Sequence, residues 1–268
     1  MPQKNLDFRE TTVAYGIEGE GPVVLLLHGF GQDAVYWKNQ VEALRSHYRL
    51  ILPDWPGSGT SPYNARFPQM DDYAELLKAL LDSENINSCV MLGHSMGGYI
   101  TLAFVEKYPS YLSGFGLIHS SALPDSEEKK QAREKSIGFM QTQGAYGFMK
   151  TAIPRLFSER FAAEHPEIIE YWVERSRNFS VEALEQYYRA MIRRPDRQHC
   201  LTGSNVPVLF IAGVMDKAIP FEDSLKQVHL ANEMHVHILR ASAHMSPLEE
   251  TEKVNTILRE FLRQCVSI

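Results

Sequence analysis

A chain of 268 residues, 44% hydrophobic and 22% charged, has room for one large α/β domain or two small ones and the composition of a soluble globular protein. Its formal net charge of −6 leaves no basic footprint for nucleic acid, no apolar run approaches membrane-spanning length, and MPQKNLDFRE lacks the apolar segment of a signal peptide. Cys89, Cys200 and Cys265 are odd in number and far apart, so they are expected as reduced thiols in a cytoplasmic protein.

Residues 6–10 and 11–18 are predicted as two short edge strands ahead of the turn EGEG. VVLLL (23–27) is a continuous apolar run, as a strand buried on both faces of a parallel sheet requires. A helix follows from about Asp33 to Ser46, with Val35, Trp37, Val41 and Leu44 as a loose apolar face. YRLILP (48–53) is the next strand, AELLKALLD (74–82) a helix and CVML (89–92) a third buried strand. YITLAFVEKY (99–108) is predicted as a helix that stops at Pro109, whose ring cannot continue it. FGLIHS (115–120) is a fourth buried strand. Strands and helices alternating across short loops predict βαβ units and a doubly wound α/β sheet.

From about Leu123 to Cys200 no strand-like run occurs, only helical, charged and aromatic sequence such as EEKKQAREKSIGFM and VEALEQYYRAMIRR. The alternation resumes with VPVLFIAG (206–213), a helix near 221–230, the strand MHVHILR (234–240) and a last helix over 247–264. SPLE opens that helix, with Ser246 as N-cap, Pro247 as first helical residue and Glu249 as capping-box partner. A helical insert thus interrupts the sheet after its fourth parallel strand.

GHSMGG (93–98) breaks a strand with glycines on both sides of a serine. Gly93-x-Ser95-x-Gly97 fits a nucleophile elbow, a tight strand-to-helix turn that strains the serine and leaves no room for flanking side chains. A serine hydroxyl is a poor nucleophile and needs a base. His244, in ASAHMS between the last strand and the last helix, leaves the same carboxyl edge of the sheet as Ser95 and is the expected base. The orienting carboxylate is expected at Asp216 in GVMDKAIP, just past a strand end, with Asp125 as the rival. An oxyanion hole needs two backbone N–H groups aimed at one point. Met96 supplies one and Phe30 of HGFG (28–31) the other, while Gly29 and Gly31 let the backbone pass close to substrate. His28, Gly29, Phe30, His94 and His119 make up the expected substrate-binding surround. Within it His94 orients or packs, and His119 lines the pocket or serves as a hydrogen-bonded structural residue. His235 and His237 share a strand face without a third ligand nearby, so no metal site is expected.

On LLLHGFGQD, LPDWPGSGTS, MLGHSMGG, IAGVMDKAIP and ASAHMSPLEE the chain resembles the α/β-hydrolase-fold serine hydrolases with a helical cap, of the esterase and lipase-like group. The order Ser95, Asp216, His244 is that of the family. The resemblance implies a mostly parallel eight-stranded sheet with helices on both faces. It also implies a core domain of residues 1–121 and 204–268, and a cap or lid of residues 122–203. Asp54, Gly57 and Gly59 would shape the DWPGSGTS loop. Serine at position 95 speaks against the haloalkane dehalogenases and epoxide hydrolases of this fold, which usually carry aspartate there. The insert aromatics include Phe148, Tyr187 and Tyr188; most of the set are expected as core between cap and sheet, with a few facing the pocket. The insert arginines, including Arg155, Arg175, Arg177, Arg193 and Arg194, are expected on a solvated helical face, with an acidic substrate as the alternative.

The expected activity is hydrolysis of a small, largely apolar carboxylic ester through an acyl-enzyme. No metal or organic cofactor, no nucleic acid and no membrane span are expected, and the protein would be a monomer or homodimer. Two rivals stand beside it: a carbon–carbon bond (β-diketone) hydrolase or lyase using the same triad, and a slow-turnover ligand sensor.

Overall fold

A computed structural model describes residues 2–266. Its strands are β1 (Gln3–Phe8), β2 (Thr11–Glu18), β3 (Val23–Leu27), β4 (Arg49–Pro53), β5 (Cys89–His94), β6 (Leu112–Ile118), β7 (Val208–Gly213) and β8 (Met234–Leu239). They form one sheet in the order β1-β2-β4-β3-β5-β6-β7-β8. β2 runs antiparallel to both β1 and β4, and every other pairing is parallel.

The apolar runs explain this layering. Val24 to Leu27 and the whole of β5 and β7 are buried, because helices cover both faces of the sheet. Helix α1 (Lys38–Leu44) packs with the final helix over Thr251–Cys265, while α2 (Met70–Ser83) packs with α3 (Met96–Lys107). Among the described residues no helix is long and apolar enough to cross a membrane.

Three sequence expectations are corrected here. β2 is an interior strand, since Val13 to Gly16 are all buried and β4 flanks it. The hairpin before it turns on Arg9 and Glu10, both at positive φ (50° and 61°). That geometry suits the twist of a two-residue hairpin, but no Asn-Gly or Asp-Gly signal announced it. The helix expected near 221–230 ends early, and the element is α9 (Phe221–Leu225) once the five insert helices are counted. Gln227 turns its side-chain amide onto the Asp223 carbonyl at 2.7 Å, the acceptor its own N–H would need to continue the helix.

The last helix is split. Glu250, at φ −128° and ψ 50°, separates α10 (Ser246–Glu249) from α11 (Thr251–Cys265). Met245 occupies the N-cap position of α10 and Ser246 is its first residue. Glu249 does reach back to the Met245 N–H, at 3.1 Å, so half of the expected capping box is present one residue early.

Between β6 and β7 the chain forms α4 (Glu127–Ala152), α5 (Glu159–Glu164), α6 (Pro166–Arg175), α7 (Val181–Arg193) and α8 (Gln198–Thr202). α4 kinks at Gly144, whose φ of +77° a side chain would resist. Ion pairs between residues far apart in sequence fasten the insert to the loop after β3 and to α2 and α3. Arg175 meets Asp33 at 2.6 Å, and Arg197 meets Asp71 and Glu106 at 2.8 and 2.9 Å. Phe210, in the buried strand β7, is fully enclosed. Phe210→Ala is expected to lower unfolding free energy by about 3–5 kcal/mol in urea titrations. A loss near zero would contradict the core described here.

Candidate active site

Ser95 sits between β5 and α3 at φ 52° and ψ −116°, a backbone state rare for a residue with a Cβ. The turn is tight enough that a Cβ on Gly93 would stand 2.4 Å from the Gly97 carbonyl carbon. A Cβ on Gly97 would stand 2.3 Å from the Leu27 oxygen. The strained serine is pinned by its neighbours: its N–H donates to the Ile118 carbonyl at 2.9 Å, and its carbonyl accepts from Gly98 N–H at 2.9 Å and from Ser120 Oγ at 2.8 Å. Met96 opens α3, so its N–H precedes any intrahelical acceptor.

Asp216 follows β7 and His244 follows β8, and both are buried. His244 Nδ1 donates to Asp216 Oδ2 at 2.8 Å. Oδ1 accepts from the N–H groups of Ala218 and Ile219 at 2.8 and 2.9 Å. The fourth donor is His119 Nδ1, 2.9 Å from Oδ2. With that proton on Nδ1, the other ring nitrogen, Nε2, is left to accept the Ser246 hydroxyl at 2.7 Å. Burial works against the Asp216 charge, but His244 and the hydrogen bonds from both histidines outweigh it and hold the carboxyl far below its ordinary range.

The loop carrying His244 is held from several sides. Its N–H donates to the Leu156 carbonyl of the insert at 2.9 Å, and His94 Nε2 donates to its carbonyl at 2.8 Å. Burial, then the neighbouring His244 and His119, keep His94 well below the usual imidazole range. Glu249 accepts from the N–H groups of Ala243 and Met245, each at 3.1 Å, and from Ser158 N–H at 2.9 Å.

A cleft of about 250 Å³ opens over Ser95 and His244. Phe30, Gln32 and His94 line it from the sheet side, and Lys129, Arg133, Leu156, Tyr188 and Met191 from the insert. Of the five residues expected around the substrate, Phe30 and His94 are in that lining. His28, Gly29 and His119 are not among the lining residues. His28 is enclosed beside Trp55, whose N–H lies 3.3 Å from Nε2, and burial pushes its pKa down to about 4. Gly29 donates its N–H to Gln32 Oε1 at 2.8 Å, and a Cβ there would press on Ser95 and His94. His119 lies behind the carboxylate, as described.

Asp125 stands apart from His244. Arg133 Nε donates to its Oδ2 at 2.7 Å, and Arg194 Nη1 lies 2.9 Å from Oδ1 as an ion pair out of hydrogen-bond alignment. Burial would raise its pKa, but the two guanidinium charges outweigh that and lower it. Arg175 pairs with Asp33 and Arg177 with Glu174, while Arg194 is buried. Lys129 and Arg133 were missed as cleft residues. Their signal was their own four-residue spacing, which puts both on one face of α4 just beyond Asp125.

His119, Asp216 and His244 are also the described cluster whose ligand atoms lie close enough to invite a metal. Two ligands of one tetrahedral ion stand roughly 3.3 Å apart, given bonds of about 2.0–2.1 Å. The Nδ1 atoms here stand 2.8 and 2.9 Å from Oδ2, which is hydrogen-bond spacing. His235 lies 3.4 Å from Glu233 and against the Phe261 ring.

Asp216→Asn swaps one acceptor for a donor inside a ring of donors. It is expected to cost about 1–3 kcal/mol of stability at neutral pH. Because the folded pKa is depressed, the wild-type carboxylate contributes fully above the ordinary aspartate pKa. That contribution begins to be lost as pH falls below about 4. The gap between the two urea midpoints should therefore narrow in acid; a gap independent of pH would contradict the assignment.

A family model of the alpha/beta hydrolase fold matches residues 22–251. A solved thermophilic esterase from Thermogutta terrifontis superposes with a TM-score of 0.92 at 29% identity, over 99% of each chain. The (E)-2-((N-methylformamido)methylene)succinate hydrolase of Acinetobacter baylyi is 25% identical over 98% of each chain. The 2-hydroxy-6-oxo-6-phenylhexa-2,4-dienoate hydrolase of Comamonas testosteroni is 26% identical over 96% of this chain and 93% of its own. A dihydrolipoyllysine-residue acetyltransferase component of the acetoin cleaving system of Pseudomonas putida is 30% identical over 93% of this chain, which spans 65% of that protein's length. A match through most of the chain, on an eight-stranded sheet of this order, makes the protein a hydrolase of the alpha/beta-hydrolase-fold family.

Proposed function

We propose that the protein is a serine hydrolase that cleaves a small carboxylic ester, with residues 1–121 and 204–268 as its core and 122–203 as a cap over the site. The observation that carries this reading is His244, hydrogen-bonded to the buried Asp216 and lining the same cleft as a serine held on a strained corner. The likeness to a solved esterase supports it.

In this reading Ser95 Oγ attacks the acyl carbon while His244 Nε2 takes its proton, and Asp216 holds the ring and stabilises the imidazolium. The Phe30 and Met96 N–H groups receive the negative oxygen of the tetrahedral intermediate. His244 then protonates the departing alcohol, leaving an acyl-serine. Water, deprotonated by the same histidine, releases the acid and restores Ser95. Phe30, Leu156, Tyr188, Met191 and Ile219 give the cleft an apolar wall for the body of the ester.

A second reading is favoured by a specific relative. The 2-hydroxy-6-oxo-6-phenylhexa-2,4-dienoate hydrolase cited above points to carbon–carbon bond hydrolysis with the same residues. A panel of simple esters against ring-cleavage diketones separates the two by kcat/KM.

Ser95→Ala is expected to abolish ester turnover and fluorophosphonate labelling while the fold persists; undiminished turnover would sink the mechanism. Asp216→Asn should lower kcat by about 10³–10⁴-fold, or roughly 4–5.5 kcal/mol of barrier. Asp125→Asn uncovers two buried cations and should cost about 3–5 kcal/mol of stability, with kcat on a neutral ester little changed. If Asp125→Asn cripples turnover and Asp216→Asn does not, the acid has been placed after the wrong strand.

A further inference from the structure

We propose that the cleft selects an ester bearing a free carboxylate away from the scissile bond, and that Arg133 and Lys129 of α4 hold that carboxylate. The proposal rests on the serine-hydrolase reading above and names its substrate class.

The first observation is a charge imbalance. Lys129, Ala132, Arg133 and Ser136 present one face of α4 to the cleft that holds Ser95 and His244. The side chain of Arg133 is only 13% exposed. Asp125 is the carboxylate facing these cations, and it is shared among Arg133, Arg194 and, at 3.9 Å, Lys129. One negative charge thus serves three positive ones. The Asp216 carboxylate is fully engaged by its four hydrogen bonds. Lys217 on the rim is exposed and lies 3.4 Å from Glu159.

The second observation is unused donor capacity. Arg133 spends Nε on Asp125, and its two terminal nitrogens have no acceptor among the described residues. Lys129 Nζ donates to the neutral Ala218 carbonyl at 2.8 Å, and the shared Asp125 faces its charge only at 3.9 Å. A guanidinium fork held away from water matches a carboxylate with two parallel hydrogen bonds.

The third observation is position. The Arg133 guanidinium lies 5.1 Å from the Tyr188 ring centroid, and Tyr188 stacks on Phe30 at 4.2 Å with 6° between planes. The cationic group is therefore tied through Tyr188 to the residue whose N–H is read as an oxyanion donor. Beyond Lys129 the neighbouring cavity is lined by Asp125, Glu128 and Asp223 as well as Lys129, Arg194 and Lys217, so no net positive charge draws an anion there.

The test compares mono-4-nitrophenyl glutarate with its neutral methyl-capped counterpart, nearly the same in size. Wild-type kcat/KM should favour the acid at low ionic strength, and the preference should fall as salt is raised. Lys129→Met and Arg133→Gln should each lower the acid-to-neutral ratio by about tenfold to a hundredfold, mainly through KM for the acid. Lys129→Met leaves the Arg133–Asp125 pair in place and serves if Arg133→Gln does not fold. Calorimetric binding of glutarate to Ser95→Ala protein gives a readout without turnover, and Lys129→Met in that background should weaken it by a similar factor. If neither ester is cleaved but glutarate binds and Lys129→Met weakens it, the anion site stands and the serine-hydrolase reading fails. Equal or better turnover of the neutral ester overturns the proposal. So does an acid-to-neutral ratio unmoved by both substitutions, or glutarate binding that is absent or indifferent to Lys129.

Discussion

A carboxylate taken out of water must be surrounded by donors, and the buried Asp216 imposes that demand on the whole upper edge of the sheet. It is met from three strand ends at once: His119 beyond β6, the Ala218 and Ile219 amides beyond β7, and His244 beyond β8. Each imidazole gains its tautomer from the bond to Oδ2, so one buried charge sets the orientation of two rings. Ser246 closes the arrangement by donating to His119. Its role there explains why α10 starts one residue before the position that capping chemistry alone indicates.

A second constraint is steric. The corner at Ser95 brings β5, α3 and the turn after β3 to contact distances that exclude side chains at Gly93 and Gly97. Ser95 accepts a positive φ because its N–H and carbonyl are both tied down. Strain of this kind persists only where surrounding structure over-determines it. The reward is a hydroxyl presented at a strand end beside the loop of His244.

The insert depends on these two constraints and completes the cleft. Its ion pairs to Asp33, Asp71 and Glu106 fasten it to the loop after β3 and to the flanking helices α2 and α3. Glu249, expected only as a helix-capping residue, joins the insert to the His244 loop by accepting from Ser158 as well as Ala243 and Met245. A single carboxylate so ties the insert to the loop after β8, and it needs no charged partner because backbone N–H groups satisfy it.

Strands buried on both faces must be apolar throughout, which is why VVLLL, CVML and VPVLFIAG disclosed the parallel sheet, and why the gap between them disclosed the insert. Tight turns restrict residue type locally, so the glycines around Ser95 and the loop positions of Asp216 and His244 were also legible in the chain itself. What the sequence could not disclose are pairings between residues far apart along it. His119 and Asp216 are separated by 97 positions, and Arg175 and Asp33 by 142. No local periodicity encodes such partners. The interior place of β2, the early end of α9 and the turning of Lys129 and Arg133 toward the cleft likewise depend on what lies opposite. Local steric and burial rules therefore determined the fold class and the strand-end positions of Ser95, Asp216 and His244. Only the packed structure decided which charges meet, because the cost of burying a charge is fixed by its neighbours in space.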